Sequence, residues 1–125
     1  MEKRKRNTVL LAFALIVCLS IPSALAVSTS INYNASGTVR SSKGNLNGSL
    51  SGKVTSKSTS TNQYGKLNGY LDTHGSVFTV NRDSASVAAG KSSSMYWSNP
   101  NNEAGKYSVA LTSPGGHNGT GSASS

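Results

Sequence analysis

Cysteine is nearly absent from this 125-residue chain, and the single copy is Cys18. No intramolecular disulfide can form, and no thiolate zinc site can be written. Acidic residues are almost as scarce, four against twelve basic ones. Beyond residue 26 the acid–base candidates reduce to Asp72, Asp83, Glu103, His74 and His117. They form no zinc spacing, no calcium-loop run and no phosphate-loop signature. Asp72 and His74 stand two apart, so a strand would put them on one face, with many serines nearby. No G-x-S-x-G elbow accompanies them, and the plainer reading is a strand end running into a turn at Thr73-His74-Gly75. The expectation is no catalytic residue, no metal ligand and no cofactor.

Long apolar runs are also missing, with one exception. Val9–Ile21 is apolar over 13 residues, short of the roughly 20 needed to cross a bilayer. Lys3, Arg4, Lys5 and Arg6 precede it, Pro22 breaks it, and Ala24 and Ala26 supply the small residues that a signal peptidase requires. This pattern predicts a secretory leader over 1–26, cleaved after Ala26. Cys18 lies inside the apolar run between Val17 and Leu19, which is not the placement of a lipid-modified first residue. No second apolar stretch follows, so no transmembrane segment is expected in the mature chain and the product is expected to be secreted and extracellular.

Cleavage would remove four of the twelve basic residues and one of the four acids, leaving eight cations, three acids and a net charge of +5. Leu, Ile, Val and Phe together number 14 after Ala26, so the core must be thin. Five tyrosines, Trp97 and Met95 add buriable surface. The apolar residues recur with period two and nowhere with helical spacing. Alternation marks seven candidate strands, around Ile31-Tyr33-Ala35, Leu46-Leu50-Val54, Leu67-Gly69-Leu71, Val77–Val80, Ala85-Val87-Ala89, Met95-Trp97 and Tyr107-Val109-Leu111.

Turn-forming runs separate these strands, at residues 40–44, 57–63, 73–75, 81–84, 89–94, 99–105 and 113–116. Pro100 and Pro114 both fall in such runs, as a sheet ladder requires. The expected fold is all-β, a small antiparallel sandwich of immunoglobulin-like type with about seven strands, and a small barrel is the competitor. The expected organisation is a helical leader over 1–26, a β-sandwich over 27–112, and 113–125 as a flexible Gly/Ser-rich tail or a last edge strand. Trp97 is expected in the core.

One stretch repeats. Gly44, Leu46, Asn47, Gly48 and Leu50 are matched 21 residues later by Gly65, Leu67, Asn68, Gly69 and Leu71. Asn-Gly is a strong hairpin signal, yet a turn at either copy would mix polar and apolar residues on one face. Strands running straight through both copies keep the leucines together and use glycine where another strand comes close. The repeat reads as two similar strands.

The eight cations from Arg40 to Lys106 are scattered singly, five of them between residues 40 and 66. They form no basic stripe, and no nucleic-acid partner is expected; an anionic or glycan surface of a cell envelope suits them better. Alternation turns Tyr70 and Tyr96 away from the core side, which makes them the candidate surface-binding aromatics. The expected function is a non-enzymatic secreted protein that binds at a cell-envelope or extracellular matrix surface. Two alternatives are a secreted cationic antibacterial protein and a self-assembling structural protein that associates through exposed strand edges. Export of a mature chain without cysteine is common in Gram-positive bacteria, which is the expected source. A leader followed by a Ser/Thr/Gly-rich, cysteine-free β domain is similar to many small exported bacterial proteins, some bacteriocins among them. That likeness is one of composition and carries over no residue.

Overall fold

The computed structural model describes residues 26–32, 37–59, 66–113 and 117–125. Residues 1–25 of the leader, Ala24 among them, the strand positions of Tyr33 and Ala35, the 60–63 part of one turn run and the turn at Pro114 lie outside the described residues. The described chain is all-β, in two antiparallel sheets and without a helix. Among the described residues no helix is long and apolar enough to cross a membrane.

Nine strands are described: β1 (Val27–Ile31), β2 (Gly37–Arg40), β3 (Gly44–Leu46), β4 (Leu50–Ser56), β5 (Leu67–His74), β6 (Thr79–Val87), β7 (Ser92–Trp97), β8 (Gly105–Ser113) and β9 (Gly119–Ser124). The first sheet has the order β1-β9-β4-β7, and the second β2-β8-β5-β6, with β3 beside β2 on the same edge of β8. Among the described strands only β5 and β6 form a hairpin between neighbours; most other connections cross from one sheet to the other. The order therefore departs from the constant-type immunoglobulin arrangement, where three pairs of consecutive strands lie side by side.

Two strands carry almost no apolar signal, and neither is among the seven that alternation marks. β2 reads GTVR and contributes only Val39 to the core. β9 reads GTGSAS and corrects the expectation of a tail or edge strand, because it lies between β1 and β4 inside the first sheet. Its buried face is Gly119, Gly121 and Ala123, small enough to let the second sheet come close. The predicted turn at 81–84 is corrected too, since one strand, β6, runs unbroken from Thr79 to Val87 and joins the two segments expected on either side of it. Its polar residues are satisfied in place: a bulge opposite Leu71/Asp72 accommodates Arg82, and Asp83 accepts the Tyr96 N–H at 2.7 Å.

The inner faces bury Ile31, Leu50, Val54, Leu67, Leu71, Met95, Tyr107, Val109 and Leu111. Among the described residues Tyr107, at 1% exposure, is the largest fully buried side chain. Burial raises its pKa, against a smaller lowering by a hydrogen bond to the Ser125 backbone. Trp97 does not sit at the centre. It is half-buried at the end of β7, with the Arg82 guanidinium 4.4 Å over its ring. That cation is held by Thr73 Oγ1 at 2.8 Å and by the Glu103 carboxylate.

The two copies of the repeat part company. Asn68-Gly69 lies within β5, and Gly69 is the point where Val54 of the other sheet comes nearest. Asn47-Gly48 lies between β3 and β4, with Gly48 at φ 118°, and carries the chain from one sheet to the other. The expectation of a strand running through both copies is corrected at the first: a chain that must change layers needs the positive φ that glycine tolerates.

Candidate functional site

Alternation along β5 directs Asn68, Tyr70, Asp72 and His74 to the outer face of the second sheet. There the Asp72 carboxylate is taken by Arg40, 3.3 Å away, and does not meet His74. His74 instead bridges two hydroxyls, with Nε2 2.8 Å from Ser108 Oγ and Nδ1 3.1 Å from Thr79 Oγ1. Burial holds the His74 pKa below its ordinary value of 6.5; Lys43 and Arg40 lower it further, and Asp72 opposes them. Neutral imidazole has one donor and one acceptor nitrogen, which suits a bridge between hydroxyls. Ser108 is buried in the sheet at 1% exposure. The residues that suggested a Ser–His–Asp set are thus brought near one another, but the His–Asp contact that would orient such a set is not made. Among the described residues no three His, Cys, Asp or Glu side chains group as metal ligands.

Tyr70 is half-buried and lines a shallow depression of about 520 Å³ on this face, together with Thr38, Arg40, Asp72, Asn81 and Thr112. Tyr96 projects from β7 of the first sheet and is 60% exposed. The two candidate aromatics belong to different sheets, so the fold does not unite them in one site.

The outer face of the first sheet has a regularity that single residues did not reveal. Register aligns Ser28, Ser122, Lys53 and Ser94 in one row across four strands, and Ser30, Thr120, Thr55 and Ser92 in the next. Ser124, Ser51 and Tyr96 make a shorter third row. Neighbours within a row stand about 4.8 Å apart and rows about 6.7 Å apart, the spacings of any sheet. The result is a two-dimensional array of short hydroxyl side chains, exposed or half-exposed throughout. One in-row contact is made, Thr55 Oγ1 to Ser92 Oγ at 2.9 Å. Among the four strands Lys53 is the sole charge, and none carries an acid. The signal available in the sequence was Ser/Thr at period two in 28–30, 51–55, 92–94 and 120–124; only the register shows that these runs share a face.

At one end of the second sheet the β5–β6 hairpin closes through Gly75 N–H to the Phe78 carbonyl at 3.0 Å. Val77 and Phe78, expected within a strand, lie in this tip at 76% and 75% exposure. At the opposite end Lys57, Lys66 and Lys91 lie in or beside the connections to β4, β5 and β7, and no acid among the described residues joins them. No known protein family matches the chain, and no curated protein matches it in sequence.

Proposed function

We propose that this chain is a small secreted, non-enzymatic β-sandwich that binds an extended glycan or anionic polymer at a cell-envelope or extracellular matrix surface. The observation that carries this reading is the acid-free hydroxyl array on the outer face of the first sheet, with Lys53 within it and Tyr96 at its end. A polymer surface offers hydroxyls and charges at repeating intervals, and a flat lattice of donors and acceptors meets many of them at once. Each hydrogen bond contributes only about 0.5–1.5 kcal/mol net, so affinity has to come from number. Serine and threonine suit that task because short side chains lose little conformational freedom when they are fixed. Lys53 supplies attraction to an anionic polymer without fixing one binding register, and Tyr96 presents a ring for stacking on a sugar face. The Lys57–Lys66–Lys91 end extends the favourable field.

The test is adsorption of the full secreted chain to isolated envelope polymers, comparing the wild type with Lys53→Glu and Ser122→Glu. Negative charge placed within the array is expected to weaken adsorption while leaving thermal stability unchanged. The antibacterial alternative draws on a separate observation, the exposed Val77–Phe78 tip; growth inhibition on bacterial lawns tests it.

A further inference from the structure

We propose that the β5–β6 hairpin tip is a membrane anchor, with Val77 and Phe78 entering the interface of an anionic phospholipid bilayer and Lys43 and Lys106 holding its headgroups. Placement is the first argument. The chain after Ala26 has only 14 Leu, Ile, Val and Phe residues, and Phe78 is its single phenylalanine. That phenylalanine stands 75% exposed beside a valine at 76%, with Val80 next to them at 41%. In so thin a core, such residues lower the free energy most when buried, and here three adjacent ones face water. A contiguous exposed apolar patch of this kind marks a contact surface.

The surrounding charge selects the partner. Register puts Lys106 opposite His74, one strand from the hairpin, and Lys43 precedes β3, which pairs with the far side of β8; Glu103, which lines the depression beside the tip, is paired with Arg82. Lys106 donates to Asn45 Oδ1, and neither lysine has an acidic partner among the described residues, whose ion pairs are Arg40–Asp72 and Arg82–Glu103. Burial is the main cause of the lowered His74 pKa, and Lys43 lowers it further, by more than Asp72 raises it. Two copies meeting tip to tip would bring these lysines together, which disfavours self-association through this patch. An anionic lipid surface offers what the patch lacks, an apolar layer beneath a sheet of negative headgroups.

The geometry limits the depth. Ser76 shares the apex with Val77, and irregular backbone is costly in hydrocarbon. The Gly75–Phe78 bond satisfies one backbone pair, so the tip suits the headgroup–acyl boundary and not a span. This anchor is independent of the hydroxyl array, which lies on the other sheet, so either can fail alone.

The experiment is co-sedimentation of the full secreted chain with vesicles of equal parts phosphatidylcholine and phosphatidylglycerol, against vesicles of phosphatidylcholine alone. Binding to the anionic vesicles is expected to weaken roughly tenfold or more in the Val77→Ser/Phe78→Ser double variant. Lys43→Glu/Lys106→Glu should abolish the preference for anionic vesicles. Both pairs are exposed, so unchanged melting curves will certify that the variants fold. A Phe78→Trp variant in a Trp97→Phe background should shift its emission to the blue with anionic vesicles. The proposal is overturned if the wild type does not bind vesicles, or if the serine variant binds as well as the wild type. It is equally overturned if sedimentation in solution shows a dimer that the serine variant dissolves, because the tip would then be a contact between copies.

Discussion

Gly69 of β5 lies directly against Val54 of β4: a Cβ on that glycine would stand 2.9 Å from the valine Cβ. The relationship is reciprocated one turn of the pleat away, where a Cβ on Gly52 of β4 would stand 2.7 Å from Leu71 Cδ2 of β5. Each sheet offers a glycine to the other sheet's branched side chain, and a thin set of apolar residues thereby packs two layers closely.

Gly69→Ala should destabilise the fold by about 1–3 kcal/mol through overpacking, because the obstructing atom is a Cβ that cannot rotate away. Gly48→Ala should also destabilise, by about 1 kcal/mol, although nothing lies within 4 Å of its Cβ position; its φ of 118° is the cause. Urea melts of the two variants in a Val54→Gly background, which removes the obstructing Cβ, separate the mechanisms. Val54→Gly should relieve the overpacking of Gly69→Ala and leave the cost of Gly48→Ala unchanged.

His74 should make stability fall on the acid side. Burial and Lys43 hold its folded pKa below 6.5, so the unfolded chain binds the proton more readily. Its contribution is present above about pH 6.5 and is lost as pH falls through the lower folded pKa. Denaturant melts from neutral to mildly acidic pH should show a steeper decline for the wild type than for His74→Gln. Parallel declines would remove His74 as the source.

His117 is 1% exposed and neither ring nitrogen has a hydrogen-bond partner among the described residues. Replacing an unsatisfied buried polar group by an apolar one of similar size is close to neutral or stabilising. His117→Leu should therefore change stability by less than about 1 kcal/mol, whereas Leu111→Ala should cost about 2–5 kcal/mol. Calorimetric melting of the pair checks both values.

Asp83 accepts the Tyr96 N–H of β7, an edge strand of the first sheet. Removing it frees a donor on an exposed sheet edge, a template for pairing with another chain. Asp83→Ala should cost about 1 kcal/mol and raise self-association, which light scattering against concentration will report.

Legibility in the sequence followed side-chain size. β5, β7 and β8 announced themselves because Leu67, Leu71, Met95, Val109 and Leu111 alternate with polar residues. β9 did not, although it is internal, because its buried positions are glycines and an alanine. A Cβ on Gly121 would stand 3.0 Å from Leu111 Cδ2, so close approach of the sheets leaves no room there for the residues that mark a strand. Trp97 does share the face of Met95, as alternation required, but at the strand end, where Arg82 covers it in place of the core. Asn47-Gly48 and Asn68-Gly69 are locally alike, and only the layers joined on either side decide which is a crossover. The hydroxyl array depends on register between β1, β9, β4 and β7, which no single segment encodes.

The most direct test of the central claim is an adsorption isotherm of the full secreted chain on isolated, lipid-free cell-wall polymer, with Ser51→Glu/Ser122→Glu alongside the wild type. The account predicts saturable adsorption of the wild type and its loss in the variant, with both proteins melting at the same temperature. Equal adsorption of the two, or none by the wild type, would contradict it.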